Sequence, residues 1–407
     1  MSAFAAAALA VLAAAHAPQI AGADPETYVA TRACAGLAER VDAIPGNGPV
    51  LLRSYDAANG RSAPTAPALQ SAAFSYDNAL ATIALIACGR TEQAFRLGAA
   101  LRDIADSGRV RNAYRAGAVE NAKPLPNGWW DAAAKHWRED AYQDGSATGN
   151  AAWVAIALLQ LDAVAHQRAA GEAATRLAGE IAARTRETGG PGGFSGGTLG
   201  FDTAPQRIVW RSTEHNIDLI ALFDLLAKRS GDGAWQERER HARDFVAAMW
   251  DAPSGHFWIG TREDGITPNR DTSALDVQLW AQLLPQAAPD WHRAVAYAEA
   301  SHAVDGGFDF NADRDGAWLE GTAQAALVYR RSGRDAAAQP LLATLAANFP
   351  PRGLLFATRE ARITTGLAAG TAAAADFYYY RLPHVGATAW AALAALDFNP
   401  FVAGGRR

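Results

Sequence analysis

Ten polar side chains in this sequence share one kind of place, at the opening of a strongly apolar run: Asp77, Asn150, Glu214, His215, Asn216, Asp218, Asp271, Asp276, Glu320 and His384. Any one of them is explained by helix capping, because Asp, Asn and Ser accept the free N–H groups of a first turn and acids suit the helix dipole there. Capping does not call for glutamate, yet Glu214 and Glu320 recur in the same register. Nor does it call for the aromatic residues crowding the same segments: Trp129, Trp130, Trp210, Trp280, Trp318 and Tyr378 to Tyr380.

Carboxyl groups facing one another across an aromatic-lined cavity suit glycosidic bond cleavage. One carboxylic acid protonates the leaving oxygen, and one carboxylate activates water or attacks carbon. On this reading Glu214 and Glu320 are the acid and base, with Asp276 the reserve for either role. Asp77, Trp129, Trp130, Asn150, Trp210, His215, Asn216, Asp218, Gln324, Tyr379 and His384 are then the substrate-binding set. Trp210 and Trp318, beside the two glutamates, are expected to desolvate them and raise their pKa values. His215 follows Glu214 directly, so on a helix it points about 100° away and binds substrate rather than forming a dyad.

Two rival chemistries use the same cavity. A lyase or epimerase abstracts a proton beside a carbonyl or carboxylate with a histidine or tyrosine; His215, His384, His136 and Tyr379 are the candidates, with Arg211 and Arg381 to clamp a uronate. A non-catalytic carbohydrate-binding protein of an export system would keep the tryptophans without needing the acids.

The elements that position these residues alternate in kind. Six nearly all-apolar segments (79–87, 151–161, 217–227, 277–284, 323–329 and 389–396) each follow a polar approach. A helix apolar on all sides must be buried on all sides. Six further segments (26–41, 92–104, 173–185, 235–249, 291–300 and 335–348) carry apolar residues at three- and four-residue steps, the pattern of a one-sided helix. Short Gly-Phe elements, such as Gly193-Phe194 and Gly307-Phe308, precede the loops that feed the buried helices; 110–114 and 353–356 hold the same place less distinctly. Six buried helices alternating with six amphipathic ones predict an all-α fold, an (α/α)6 toroid with an inner and an outer ring. An open solenoid would leave one edge of its inner helices wet.

The segments Thr213-Glu214-His215-Asn216-Ile217-Asp218, Thr148-Gly149-Asn150-Ala151-Ala152-Trp153 and Trp318-Leu319-Glu320-Gly321-Thr322-Ala323-Gln324 resemble secreted bacterial members of the six-hairpin glycosidase superfamily. The resemblance runs over roughly residues 74–401 and implies the toroid fold. It leaves activity open, because that superfamily and a related toroid contain glucanases, glucuronyl hydrolases, polysaccharide lyases and sugar epimerases.

Composition closes off other classes. The 407 residues are 50% hydrophobic and carry 42 acidic against 37 basic side chains, so no concentrated basic surface for nucleic acid is expected. Twelve tryptophans against two methionines favour flat, rigid apolar surface. The glycine-rich stretch 192–200 is followed by no Lys-Ser/Thr helix, which excludes a phosphate-binding loop. No Asp-x-Asp-Asp motif of terpene cyclases occurs, and neither cysteine has partners at zinc-ligand spacing, so no metal or cofactor is expected. Residues 1–23 read as an export signal without a basic start, leaving 24–407 as one domain in the secreted or periplasmic space. No membrane span beyond that segment is expected. Cys34 and Cys88 are either one bridge or two separate thiols. Oligomeric state is left open.

Overall fold

The computed structural model describes residues 24–56, 66–367 and 376–405. The export segment and residues 57–65 lie outside the described residues. Thirteen α-helices account for the architecture, in chain order α1 (Pro25–Asp42), α2 (Ser75–Ala87), α3 (Thr91–Asp106), the single turn α4 (Ala141–Asp144), α5 (Thr148–Ala165), α6 (Arg168–Thr185), α7 (Thr213–Ser230), α8 (Gly233–Ala248), α9 (Leu275–Leu283), α10 (Arg293–Ser301), α11 (Leu319–Arg331), α12 (Asp335–Ala347) and α13 (Val385–Ala395).

The inner ring runs α2, α5, α7, α9, α11, α13 and closes where α13 packs on α2. Each inner helix pairs with one outer helix: α2 with α3, α5 with α6, α7 with α8, α9 with α10 and α11 with α12. The first outer helix, α1, packs against the last inner helix, α13, so the two ends of the fold seal each other. The expected toroid is therefore the observed one. Burial explains the sorting: every residue of α13, and Ala151 to Leu161 of α5, is buried. In α3 and α8 only one face is. By length and composition α5 could cross a membrane, but most of it is buried inside the ring.

Three local differences from the sequence expectation are physical. The inner helices begin earlier than their apolar runs, so the polar approach residues are the first helical turn itself. Pro289 opens a 3-10 turn (Pro289–His292) that delays the start of α10 to Arg293. Two Gly-Phe elements are two-residue strands, Phe257 pairing with Trp250 and Phe308 with Ala303, while Phe194 makes a single bridge to Arg186. Cys34 of α1 and Cys88, just past α2, are joined as a disulfide.

One repeated device holds an extended segment, most often a Gly-Phe element and in the first case Leu52, to an inner helix. The fourth helical residue carries a side chain that accepts the backbone N–H of that element. Asn78 accepts from Leu52 (2.7 Å) and Asn216 from Phe194 (2.9 Å). Gln278 accepts from Phe257 (2.9 Å), Thr322 from Phe308 (3.1 Å) and Thr388 from Leu355 (2.9 Å). In α5 this position is Ala151, and Asn112, on the element itself, accepts from Ala147 (2.8 Å) instead. Buried backbone groups must be paired, so these amides and hydroxyls set the register of six loops over one end of the ring.

Candidate active site

All six inner helices open at that end, and their second helical residues form a layer: Tyr76, Gly149, Glu214, Asp276, Glu320 and Gly386. None of the acids is a helix cap; the caps are Phe74, Ala147, Ser212, Ala274, Trp318 and His384. The two glycines make room. A Cβ on Gly386 would lie 2.6 Å from Asp77 Oδ1 and 2.8 Å from Glu320 Oε2. One on Gly149 would lie 2.4 Å from His215 Cδ2 and 3.0 Å from Asp218 Oδ2.

Four residues along each helix lies a second layer: Leu80, Trp153, Asp218, Trp280, Gln324 and Trp390. The three tryptophan rings meet across the axis, with centroids 5.3–5.8 Å apart. Tyr76 stacks on Trp280 and meets Trp153 edge-on. This aromatic plug floors the acid layer with apolar surface. Trp210 and Trp318, expected to desolvate the glutamates, instead pack on His215 and on Tyr379 and Phe310 respectively.

The carboxyl groups respond to that floor. Burial raises Glu320 to about 8, with Asp77 and Asp276 adding repulsion while His384 and a Tyr76 hydrogen bond pull it back. Glu214 is pushed well above the ordinary carboxyl range by burial and by the charges of Asp276 and Glu320. Its residue surface is half-buried rather than fully buried. Asp218, below it, is raised by burial and by Glu214 and Asp276. Both of its oxygens are buried without a hydrogen-bond partner among the described residues; the neighbouring Trp153 indole does not reach bonding geometry. Asp276 rises less, to about 6, because the Val277 N–H donates to its Oδ1 at 2.6 Å and offsets the burial.

Opposite stands a tyrosine and histidine side. Trp390 Nε1 donates to Tyr76 OH (3.0 Å), which donates to Glu320 Oε1 (2.7 Å). His384 caps α13 by accepting the Ala387 N–H at Nδ1 (3.2 Å), so the neutral ring carries its proton on Nε2, 3.5 Å from Asp77 Oδ2. Burial disfavours a charged His384, yet Asp77 and Glu320 outweigh it and its pKa rises. His215 has no such partner; burial lowers it to about 4, so it is neutral. Tyr379 and Tyr55 flank His384. Tyr379 is raised by burial and by Glu320, Tyr55, Asp77 and Asp276, and Tyr142 by burial and by Glu214, Asp140 and Asp77.

The ring thus brings together Glu214, Glu320, Asp276, Asp77, Asp218, His215, Tyr379 and His384. Gln324 lies beneath Glu320, buried, with both amide atoms unpartnered among the described residues. Other candidates are elsewhere or spent. The Asn216 amide is used up on the Phe194 backbone and the Ser212 carbonyl, and Asn150 donates to Asn112. Trp129 and Trp130 sit on a hairpin (129–131 with 136–138), where Trp130 is 61% exposed and pairs with Trp137. Asp271 is paired with Arg262 at the surface, and His136 is exposed. Arg211 donates to the Gly189 and Gly192 carbonyls and Arg381 to the Arg359 carbonyl, so neither is free to clamp a uronate. A surface groove beside Glu92 and Arg96 lies apart from this chemistry. Sequence reasoning missed Tyr55, Tyr76, Tyr142, Trp153 and Trp390. The four-residue step from each second helical position was the available signal for the two tryptophans.

No family model and no curated protein matches the sequence. Solved structures do. A sugar epimerase from a ruminal bacterium superposes with a TM-score of 0.62 at 12% identity, covering 91% of this chain and 97% of its own. Cellobiose 2-epimerase from Spirochaeta thermophila gives 0.61 at 12%, covering 91% and 95%. A glycosidase gives 0.59 at 13%, covering 91% and 97%. The fold is the (α/α)6 toroid of those enzymes.

Proposed function

We propose that the protein is a carbohydrate-active enzyme, and specifically a glycoside hydrolase in which Glu320 is the general acid and Asp276 the general base. The observation that carries this reading is the different bonding of two buried carboxyl groups in one layer: Glu320 Oε2 has no hydrogen-bond partner among the described residues, whereas the Val277 N–H donates to Asp276 Oδ1 at 2.6 Å and favours its charged form, and burial raises both, Glu320 the further. Near neutral pH the first holds its proton and the second does not, which is the division of labour that acid–base cleavage needs. Tyr76 occupies Glu320 Oε1, so the proton belongs on Oε2, which is buried and without a hydrogen-bond partner among the described residues. Glu320 gives that proton to the glycosidic oxygen as the bond to the anomeric carbon breaks. Asp276 takes a proton from the water that attacks that carbon. Glu214, kept neutral by burial and by the charge of Asp276, donates a hydrogen bond to a sugar hydroxyl, and Tyr142 and Tyr379 offer ring faces.

One similar glycosidase structure, at 14% identity and a TM-score of 0.58, holds glucose, which supports neutral hexose units as the first substrates to try. The engagement of Arg211 and Arg381 by backbone carbonyls also favours a neutral sugar over a uronate. Epimerisation is the second reading, favoured by His384 with Asp77 behind it. Incubation with gluco- and manno-oligosaccharides separates the two. New reducing ends support hydrolysis; a change of C2 configuration with no new reducing end, followed by NMR, overturns it in favour of epimerisation. The Cys34–Cys88 bridge supports an oxidising compartment, in line with export.

A further inference from the structure

The loop entering α11 reads Asp309-Phe310-Asn311-Ala312-Asp313-Arg314-Asp315, with five residues between Arg314 and Glu320. Asp-x-Asn-x-Asp followed at that distance by Glu is the spacing of a calcium-binding loop, in which alternate residues turn oxygens toward one point. That motif places Gly at the position of Arg314, where the chain must turn left-handed. Arg314 adopts that conformation, with φ of 59°, and its guanidinium turns away to the Ser301 carbonyl (3.0 Å).

Oxygen atoms of Asp309, Asp313 and Asp315 lie within 4.8 Å of one another. Asp313 and Asp315 are exposed, but Asp309 is fully buried. Its Oδ1 accepts the adjacent Phe310 N–H, while Oδ2 has no hydrogen-bond partner among the described residues. The charges acting on Asp309 are those of Asp315 and Asp313, and those acting on Asp315 are Asp313 and Asp376. A buried, unpartnered carboxyl oxygen facing two more carboxylates is costly unless a proton or a cation neutralises it. Hard oxygen donors without nitrogen or sulfur suit calcium, whose coordination tolerates irregular geometry, better than magnesium or zinc.

We infer that Asp309, Asp313 and Asp315 form a calcium site at the entrance to α11. The motif's last ligand, Glu320, is absent from the set because Tyr76 and the acid layer hold it in the ring. Loss of that bidentate carboxylate places the affinity in the weak range of extracellular modules, roughly 10⁻⁴–10⁻³ M. The bound ion would tie down the loop that delivers Trp318 and Glu320, a structural role remote from proton transfer.

The test uses the full chain stripped with chelator, titrated calorimetrically with CaCl2 and melted with and without the ion. At about 10 mM Ca2+ the folding equilibrium should shift roughly 10- to 100-fold, read as a rise in Tm of about 2 °C or more. MgCl2 should do less. Asp315→Asn, exposed and tolerant of substitution, should weaken calcium binding at least tenfold without lowering the Tm of the stripped protein. Asp309→Asn should abolish the response and, by removing a crowded buried charge, raise the Tm of the stripped form. No heat and no Tm shift with calcium, an equal response to magnesium, or unchanged binding in Asp315→Asn would each overturn the assignment.

Discussion

Replacing Glu320 with glutamine separates the cost of the acid from its use. Glutamine keeps the acceptor for Tyr76 and mimics the protonated carboxyl at every pH. Raising a fully buried carboxyl from 4.5 to about 8 means that its ionisation costs roughly 5 kcal/mol more in the folded protein than in the unfolded chain. Because the folded pKa is the higher one, the native state binds the extra proton. Stability from this group is therefore fully present below pH 4.5 and is lost progressively as pH rises toward and through 8. Between pH 5 and pH 8 the variant should gain roughly 3 kcal/mol on the parent. Urea midpoints at the two pH values measure that difference, and the variant should be the more stable protein at pH 8. Turnover should move the other way, falling at least about 100-fold. The parent's kcat/KM should peak between the apparent pKa values near 6 and 8, and the variant should lose the alkaline limb. Parallel pH dependence of stability in the two proteins would refute a buried, protonated Glu320. Undiminished turnover would refute its role as acid.

Three further outcomes test the surroundings. Gly386→Ala puts a methyl 2.6 Å from Asp77 Oδ1, so kcat should fall at least about tenfold while near-ultraviolet circular dichroism shows the fold retained. Asn216→Ala leaves the Phe194 N–H and carbonyl unpaired in the core and should cost roughly 2–5 kcal/mol in urea unfolding, by contrast with the gain at Glu320. Reducing Cys34–Cys88, or replacing both with serine, opens a bridge spanning 54 residues and should cost up to about 4 kcal/mol by loop entropy, read from denaturant midpoints with and without reductant.

Hydropathy period alone determined the toroid. A helix apolar on every side admits few surroundings other than a ring of its own kind, so six such runs and six one-sided ones specified inner and outer layers without any contact being known. The same logic located the acids at one end, since polar residues in a buried helix are tolerated where it opens. Roles within that end were not legible. Asn216 and Glu214 stand two residues apart on one first turn, yet one is spent on holding a loop and the other lies against the charges of Asp276 and Glu320. That difference is one of helical angle and of what lies opposite, which appear only when six helices share an axis. The tryptophans tell the same story: Trp318 lies two residues before Glu320 in the chain, whereas Trp153, Trp280 and Trp390 come from three separate helices to floor the acid layer. Desolvation, which raises Glu320, Glu214 and Asp218 alike, depends on the density of apolar atoms around each carboxyl. Local sequence sets the residue types, but that density is a sum over the whole ring, and only the tertiary structure supplies it.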